Sequence, residues 1–119
     1  MSGYISQFRK GLLELCLLNL LAGGESWGYR IVQGLREIEG LAVSESTVYP
    51  ILARLRADGH LRVRTEPSSG GPARRYFRLT EAGERHLAEL NRYWDEVAAG
   101  VRRIRGPRAQ GRPAVVGRG

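Results

Sequence analysis

The sequence predicts a mainly α-helical fold with one small β-hairpin. Hydrophobic residues just before Gly59 recur with the period of a helix, and beyond it they alternate as in a half-buried strand. Arginines are concentrated on this stretch, because residues 50–78 carry seven arginines against two acidic residues, whereas residues 1–49 and 79–101 are net acidic. A helix followed by a basic hairpin is the layout of a winged helix-turn-helix domain.

The first predicted helix contains an apolar run over residues 11–22. This run is shorter than the roughly 18 residues of a membrane span, and Glu14 and Asn19 interrupt it. It is followed by no clean signal-peptide cleavage pattern, so we expect no membrane partner and a cytoplasmic protein. A helix that is apolar nearly all round predicts burial between the domain and a second subunit. Cys16 is the only cysteine, which excludes a disulfide within the chain.

The second helix is predicted over residues 27–39, as the first helix of a helix-turn-helix pair. Its apolar side chains are spaced along one face and comprise Ile31, Val32, Leu35 and Ile38. Glycines at positions 23 and 24 and Ser26 break the chain before this helix, and Gly40 ends it.

The third helix is the candidate reading helix of that pair. Its buried stripe consists of Val48, Ile51, Leu52 and Leu55. Its outward side chains are then Ser46, Thr47, Tyr49, Ala53 and Arg54. Either Ser44 or Ser46 can cap the helix, and Pro50 favours Ser46 because a proline costs least in a first turn, where N–H groups have no helical partner.

A two-stranded hairpin follows Gly59. In its first strand Leu61, Val63 and Thr65 alternate with charged residues, and residues 67–72 supply the glycines, prolines and serines of a turn. The return strand is predicted over residues 74–79, with Phe77 and Leu79 on one side. Basic residues on a hairpin are also typical of a merely solvated surface, but next to a helix with a free face they favour binding to a polyanion.

The C-terminal part predicts a long helix that begins after Thr80, a candidate N-cap, and carries Glu81 and Glu84 in its first turn. Hydrophobic residues then recur at alternating intervals of three and four, namely Leu87, Leu90, Trp94, Val97, Val101 and Ile104. This spacing is that of a coiled-coil seam and favours a homodimer, with packing against the chain's own first helix as the alternative. Residues 105–119 predict a flexible basic tail.

Four segments in matching order resemble one known family. They are GYRIVQGL from Gly28, STVYPILARLRADG from Ser46, RRYFRLT from Arg74, and the EAGERHL that follows. Together they make the chain similar to the PadR family of bacterial transcriptional regulators, specifically its short subgroup with a single C-terminal helix. The similarity spans residues 5 to 104. It divides the chain into a winged helix-turn-helix domain with its N-terminal helix (1–79), a dimerisation helix (80–104) and the tail (105–119).

This resemblance implies a homodimeric repressor that binds double-stranded DNA at a pseudo-palindromic operator and dimerises through its first and last helices. It also implies a small aromatic or hydrophobic effector at or near the dimer interface. By the same resemblance Ser46, Thr47, Tyr49 and Pro50 begin the reading helix beside DNA, Arg74 and Arg75 belong to the wing, and Tyr29 lies near the DNA backbone.

Physical chemistry assigns roles to three of the candidate residues, each with a plainer alternative. The Tyr49 hydroxyl can donate to a phosphate, or its ring can be half-buried packing. Arg54 can reach a phosphate or a base edge, or form a surface ion pair with Asp58 one helical turn on. Trp94 lies in the middle of the seam, where an indole from each subunit can sandwich a planar ligand or simply pack.

An enzyme or a metal sensor is disfavoured by the residues available. His60, His86 and Cys16 are scattered over three predicted elements, and no carboxylate cluster or glycine-rich phosphate loop is visible. We therefore predict no catalytic residue, no metal and no cofactor. The remaining alternative is a winged helix used as a protein-interaction or RNA-binding module without ligand sensing, because a fold does not determine its function.

Overall fold

The computed structural model describes residues 2–106, which form four helices and a three-stranded antiparallel sheet of strand order β1-β3-β2. In chain order the elements are α1 (Ser2–Ala22), β1 (Ser26–Trp27), α2 (Gly28–Arg36), α3 (Glu45–Ala57), β2 (Leu61–Ser68), β3 (Gly71–Leu79) and α4 (Glu81–Arg105). The predicted mainly α-helical class with a small hairpin is confirmed. The chain divides after Ala88 into two compact units.

The hydrophobic core of the first unit is built from one face of each helix and the inner face of the sheet. Its buried side chains are Leu13, Leu17, Leu18, Leu21, Ile31, Val32, Leu35, Leu41, Val48, Leu52, Leu55, Leu61, Phe77 and Leu87. The apolar stripe predicted for α3 is confirmed, with Ile51 half-buried at its edge. Burying side chains of this size contributes roughly 1.5–3 kcal/mol each before conformational entropy is counted.

The start and end of α2 differ from the prediction of residues 27–39. The helix begins at Gly28 and ends at Arg36, so Ile38 lies beyond it and is 44 % exposed. Trp27 belongs instead to β1, which pairs with β3 through Ser26↔Phe77 and Trp27↔Tyr76. The sequence prediction missed this strand because two residues are too few to show an alternating pattern.

The hairpin is longer and its turn tighter than predicted. Only Ser69 and Gly70 separate the strands, and Gly70 has a φ of +75°, a left-handed conformation that glycine adopts without steric cost. Pro67 therefore lies within β2, where the register shifts between Glu66 and Ser68. Proline has no N–H for the ladder, which accounts for an irregularity at this point.

Helix α3 is capped by Ser44, not by Ser46 as the position of Pro50 suggested. The N–H groups of Thr47 and Val48 both donate to the Ser44 carbonyl, at 3.1 Å. Pro50 is consequently the sixth helical residue and offers no N–H to the Ser46 carbonyl. The helix tolerates this loss near its exposed start, where Ser46 and Pro50 both face solvent.

Thr80 caps α4, as predicted, and also joins that helix to the turn before β2. Its hydroxyl accepts a hydrogen bond from the Gly83 N–H at 3.0 Å and donates to the Gly59 carbonyl at 2.7 Å. The Thr80 N–H donates to the His60 carbonyl at 3.1 Å. The first turn of α4 is thereby held against the turn that joins α3 to β2.

None of the helices within residues 2–106 is long and apolar enough to cross a lipid bilayer. Of the predicted basic tail, residues 107–119 lie outside the described residues. The domain limits predicted at residues 79 and 104 stay predictions.

Candidate nucleic-acid interface

A solvent-open cleft of about 310 Å³ lies between the start of α2, the reading helix α3 and the hairpin. It is lined by Trp27, Gly28, Tyr29, Tyr49, Ser68, Pro72, Ala73, Arg74, Arg75 and Phe77. Four of the eight residues predicted to contact DNA therefore line one surface, and all four are exposed: Tyr29, Tyr49, Arg74 and Arg75.

Tyr49 lies across the first residue of α2. A Cβ added to Gly28 would stand 2.9 Å from Cε1 and 3.0 Å from the hydroxyl of Tyr49, so the close approach requires glycine. Partial burial raises the pKa of Tyr49, Glu45 raises it further, and the charge of Arg75 opposes the shift. The hydroxyl therefore keeps its proton at neutral pH and is available as a hydrogen-bond donor, while the ring is 41 % exposed.

The wing arginine Arg74 is held over an aromatic ring that the sequence prediction had assigned to α2. Its guanidinium lies 4.2 Å from the centroid of Trp27, whose ring in turn lies 5.5 Å from that of Tyr29. A cation–π contact at an exposed site contributes about 0.5–1 kcal/mol and leaves the edge N–H groups free to donate. Trp27 is thus a site residue that sequence reasoning missed, since only the pairing of β1 with β3 brings it under Arg74.

The remaining predicted residues of α3 fall into two groups. Ser46, Thr47 and Pro50 are exposed at the helix start, where the Ser44 hydroxyl bonds to those of Ser46 and Thr47 at 3.1 and 3.0 Å. Arg54 does not line the cleft. Its guanidinium forms an ion pair with Glu14 of α1 and lies 3.7 Å from Asp58, the partner that the i,i+4 spacing suggested.

The charge of Arg64 in β2 is neutralised by two glutamates. Two of its nitrogens donate to Glu25 at 3.0 and 2.9 Å, a third donates to Glu66 at 3.2 Å, and its guanidinium lies 4.5 Å from the ring centroid of Tyr76. The hydrogen bonds from Arg64 lower the pKa of Glu25. This arginine therefore braces the hairpin against the segment before β1.

The family model for the transcriptional regulator PadR-like family matches residues 17–89, which include every residue of this cleft. The chain belongs to the PadR-like family. It is similar to the transcriptional regulator Rv3488 of Mycobacterium tuberculosis, at 38 % identity over 95 residues that cover 80 % of this chain and 87 % of that protein.

Solved structures of PadR-like proteins share the fold. A PadR-like transcription factor from Bacteroides fragilis superposes with a TM-score of 0.72 at 41 % identity, covering 83 % of this chain and 95 % of that one. A PadR-like transcriptional regulator from Bacillus cereus gives a TM-score of 0.73 at 32 % identity, with 82 % and 95 % covered. The chain is accordingly a winged-helix, DNA-binding transcriptional regulator and not an enzyme.

Helix α4 of this PadR-like chain carries the predicted seam. Leu87 is only 6 % exposed and belongs to the core of the first unit, so it has little surface left for a partner. Leu90 is half-buried. Further along the helix Trp94, Val97 and Val101 are 42 %, 42 % and 48 % exposed. Together with Ile104, which is 76 % exposed, these three large apolar side chains form the exposed part of the predicted seam.

Proposed function

We propose that this PadR-like regulator is a homodimeric repressor that binds a pseudo-palindromic operator and is modulated by a small aromatic or hydrophobic effector. The observation that supports operator binding best is the cleft, where the start of the reading helix, the start of α2 and the wing present tyrosine hydroxyls and guanidinium groups on one surface. Such groups bind phosphate oxygens and base edges.

The residues predicted to contact DNA, in the cleft and at the start of α3 beside it, are proposed to have different roles. Ser46 and Thr47, at the exposed start of α3, face the base edges, because a reading helix contacts bases through its N-terminal residues. Pro50, exposed in the next turn of α3, is proposed to lie beside the DNA as well. The hydroxyls of Tyr49 and Tyr29 donate hydrogen bonds to DNA phosphates, and Arg75 of the wing binds the DNA backbone. Arg74 donates hydrogen bonds to the DNA backbone from the edge of its guanidinium, whose orientation is fixed by the Trp27 ring.

Dimerisation is proposed to bury the exposed seam of α4, with Trp94, Val97 and Val101 meeting their twofold mates and Leu90 at its edge. Exposed apolar side chains at intervals of three and four on one helix are what a helix–helix interface uses. A twofold dimer places two reading helices about 34 Å apart, one turn of the DNA, and so requires an operator with matching half-sites.

The effector is proposed to contact Trp94, whose indole is partly exposed within the seam. Planar aromatic compounds should quench the emission of the Trp27→Phe variant, in which Trp94 is the only tryptophan. The Trp94→Phe variant should show no such quenching. Quenching confined to Trp94→Phe would assign the aromatic site to Trp27 and remove Trp94 from it.

The residue roles are tested with the duplex that the protein itself selects from a randomised DNA library. Arg75→Ala should weaken binding about tenfold and reduce the slope of log affinity against log salt by about one, because one phosphate contact is lost. Tyr49→Phe should weaken binding about tenfold, since a hydrogen bond to a charged group contributes about 1.5 kcal/mol. Both losses are read by fluorescence anisotropy across a salt series.

The matched control is Arg85→Ala, which removes an exposed arginine of α4 outside the cleft and should leave affinity and salt slope unchanged. Equal losses of affinity in Arg85→Ala and Arg75→Ala would mean that binding depends only on the overall charge of the protein. A library selection that returns no preferred sequence, with single-stranded RNA bound equally well, would favour the RNA-binding alternative over a specific operator.

A further inference from the structure

A second cleft, of about 550 Å³, lies between the end of α1, the base of the hairpin and the first turn of α4. Its volume is within the range of small-molecule sites in proteins. The charged side chains of the described residues that line it are Glu25, Arg62, Arg64, Arg78 and Glu84. No residue of this second cleft lines the cleft proposed to bind DNA. It therefore carries three of the seven arginines of residues 50–78 on a separate surface.

Two of these arginines lie side by side without a counter-charge. Arg62 of β2 and Arg78 of β3 are direct partners in the antiparallel ladder, so their side chains leave the same face of the sheet. Both are exposed, and within residues 2–106 neither guanidinium forms a hydrogen bond or an ion pair. Like charges in directly opposite positions destabilise a strand pair, and an anion between the two guanidiniums removes that repulsion.

The carboxylates of the cleft leave this pair uncompensated. Glu25 is held by Arg64, whose Nε and Nη2 atoms donate to its two oxygens at 3.0 and 2.9 Å, in the fork geometry that guanidiniums use for oxyanions. Arg78 acts on Glu25 only through its charge, without a hydrogen bond. Glu84 forms no ion pair among the described residues. Three arginines and two glutamates therefore give the cleft a net charge of +1.

A phosphate monoester matches the two free guanidiniums better than a carboxylate does. Its head carries a charge of about −1.5 to −2 at neutral pH and three strong acceptor oxygens, whereas a carboxylate carries one charge and two oxygens. The planar fork of arginine binds such a head through two hydrogen bonds. Leu21, Val63 and Leu79 add apolar surface to the same cleft, and this surface suits the organic part of an ester.

The position of the pair separates it from the proposed DNA contacts. The ladder position of Arg62 and Arg78 is six residues along β2 from that of Ser68 and Gly71 at the wing tip, which corresponds to about 20 Å of strand. The cleft proposed to bind DNA includes Ser68 and Pro72, beside that tip. A phosphate held at the base of the hairpin is therefore distinct from the phosphates of the operator.

We propose that the second cleft binds a small phosphate monoester, with the phosphate between Arg62 and Arg78 and the organic part against Leu21 and Leu79. This site is additional to operator binding and to the effector contact proposed at Trp94. Its occupant neutralises the two arginines that the rest of the described structure leaves without a partner.

The test is isothermal titration calorimetry of the full-length protein with phenyl phosphate, in a phosphate-free buffer of low ionic strength. We expect a Kd of about 1 mM or lower, with inorganic phosphate bound about fivefold more weakly because it has no apolar part. Arg62→Gln and Arg78→Gln should each weaken phenyl phosphate binding about tenfold, since each removes hydrogen bonds to a charged group. Glu84→Gln should strengthen it about twofold, because a like charge leaves the cleft.

The matched control is Arg75→Gln, which removes the same charge from β3 in the cleft proposed to bind DNA. It should keep the wild-type affinity for phenyl phosphate and weaken operator binding, whereas Arg62→Gln should do the reverse. Thermal melts check folding, and Arg62→Gln should melt at or above the wild type because it relieves a like-charge pair.

Three results would overturn the inference. The first is a wild type that binds phenyl phosphate more weakly than about 10 mM, or an Arg62→Gln variant with wild-type affinity for it. The second is an equal loss of phenyl phosphate binding in Arg75→Gln, which would place the probe in the cleft proposed to bind DNA. The third is a loss of operator binding in Arg62→Gln as large as that in Arg75→Gln, which would assign Arg62 to a DNA phosphate.

Discussion

Gly83→Ala should destabilise the protein by about 2 kcal/mol or more, although helix propensity alone predicts that alanine in α4 would stabilise it by about 1 kcal/mol. A Cβ at this position would stand 2.1 Å from the His60 carbonyl oxygen and 3.1 Å from its carbon. The His60 carbonyl also accepts a hydrogen bond from the Thr80 N–H. A methyl group at position 83 must therefore push the start of α4 away from the turn that contains His60.

The matched control is Gly100→Ala, the same change in the same helix, where an added Cβ would meet nothing within 4 Å. It should raise stability, by up to about 1 kcal/mol. The melting temperatures of the two variants, measured by circular dichroism, should therefore change in opposite directions. That of Gly83→Ala should lie roughly 10 °C below the wild-type value. Two variants that both melt at or above the wild type would show that the close approach of α4 to His60 is not the native packing.

Val97→Glu should separate the proposed dimer and with it most of the operator binding. A glutamate in the middle of the seam would face its twofold mate and lose hydration, which costs several kcal/mol per charge. Light scattering should then give the 13.2 kDa mass of one chain, where the wild type gives twice that mass. Operator affinity should fall about 100-fold or more, because a monomer cannot occupy two half-sites at once.

The control for this prediction is Ala99→Glu, which adds the same charge to an exposed position two residues away, on the opposite side of α4. It should keep the dimer mass and the operator affinity. A Val97→Glu variant that remains a dimer would assign the interface to another surface, and a wild type of single-chain mass would contradict the proposed dimer.

The helices that form the core were predictable because their apolar periodicity depends only on local sequence. The α3 stripe around Leu52 and the Thr80 cap were predicted from the residues themselves. The start of α2 was not, since Trp27 is drawn into β1 by its pairing with Tyr76, a residue 49 positions away. Of the two candidate caps of α3, the preferred one, Ser46, was wrong, because the Ser44 carbonyl begins the helix and α3 accommodates Pro50 in its second turn.

The residues of the candidate DNA-binding site were likewise only partly predictable from the sequence. The family resemblance indicated Tyr29, Tyr49, Arg74 and Arg75, and the structure brings all four to one cleft. The contacts of Trp27 with Arg74 and of Glu14 with Arg54 and His86 could not be predicted, because each joins elements that are distant in the chain. Glu14 stood out in the sequence only as an interruption of an apolar run, whereas in the structure it joins α1 to α3 and α4.

Two reading helices and their wings are proposed to bind one operator with twofold symmetry. The most direct test is a hydroxyl-radical footprint of the wild-type protein on the duplex that it selects. We expect two protected patches related by a twofold axis, with centres about 10 base pairs or a whole multiple of that apart, and a contact pattern that Tyr49→Phe and Arg75→Ala weaken in both patches alike. A single unsymmetrical patch, or uniform protection of the whole duplex, would contradict the claim.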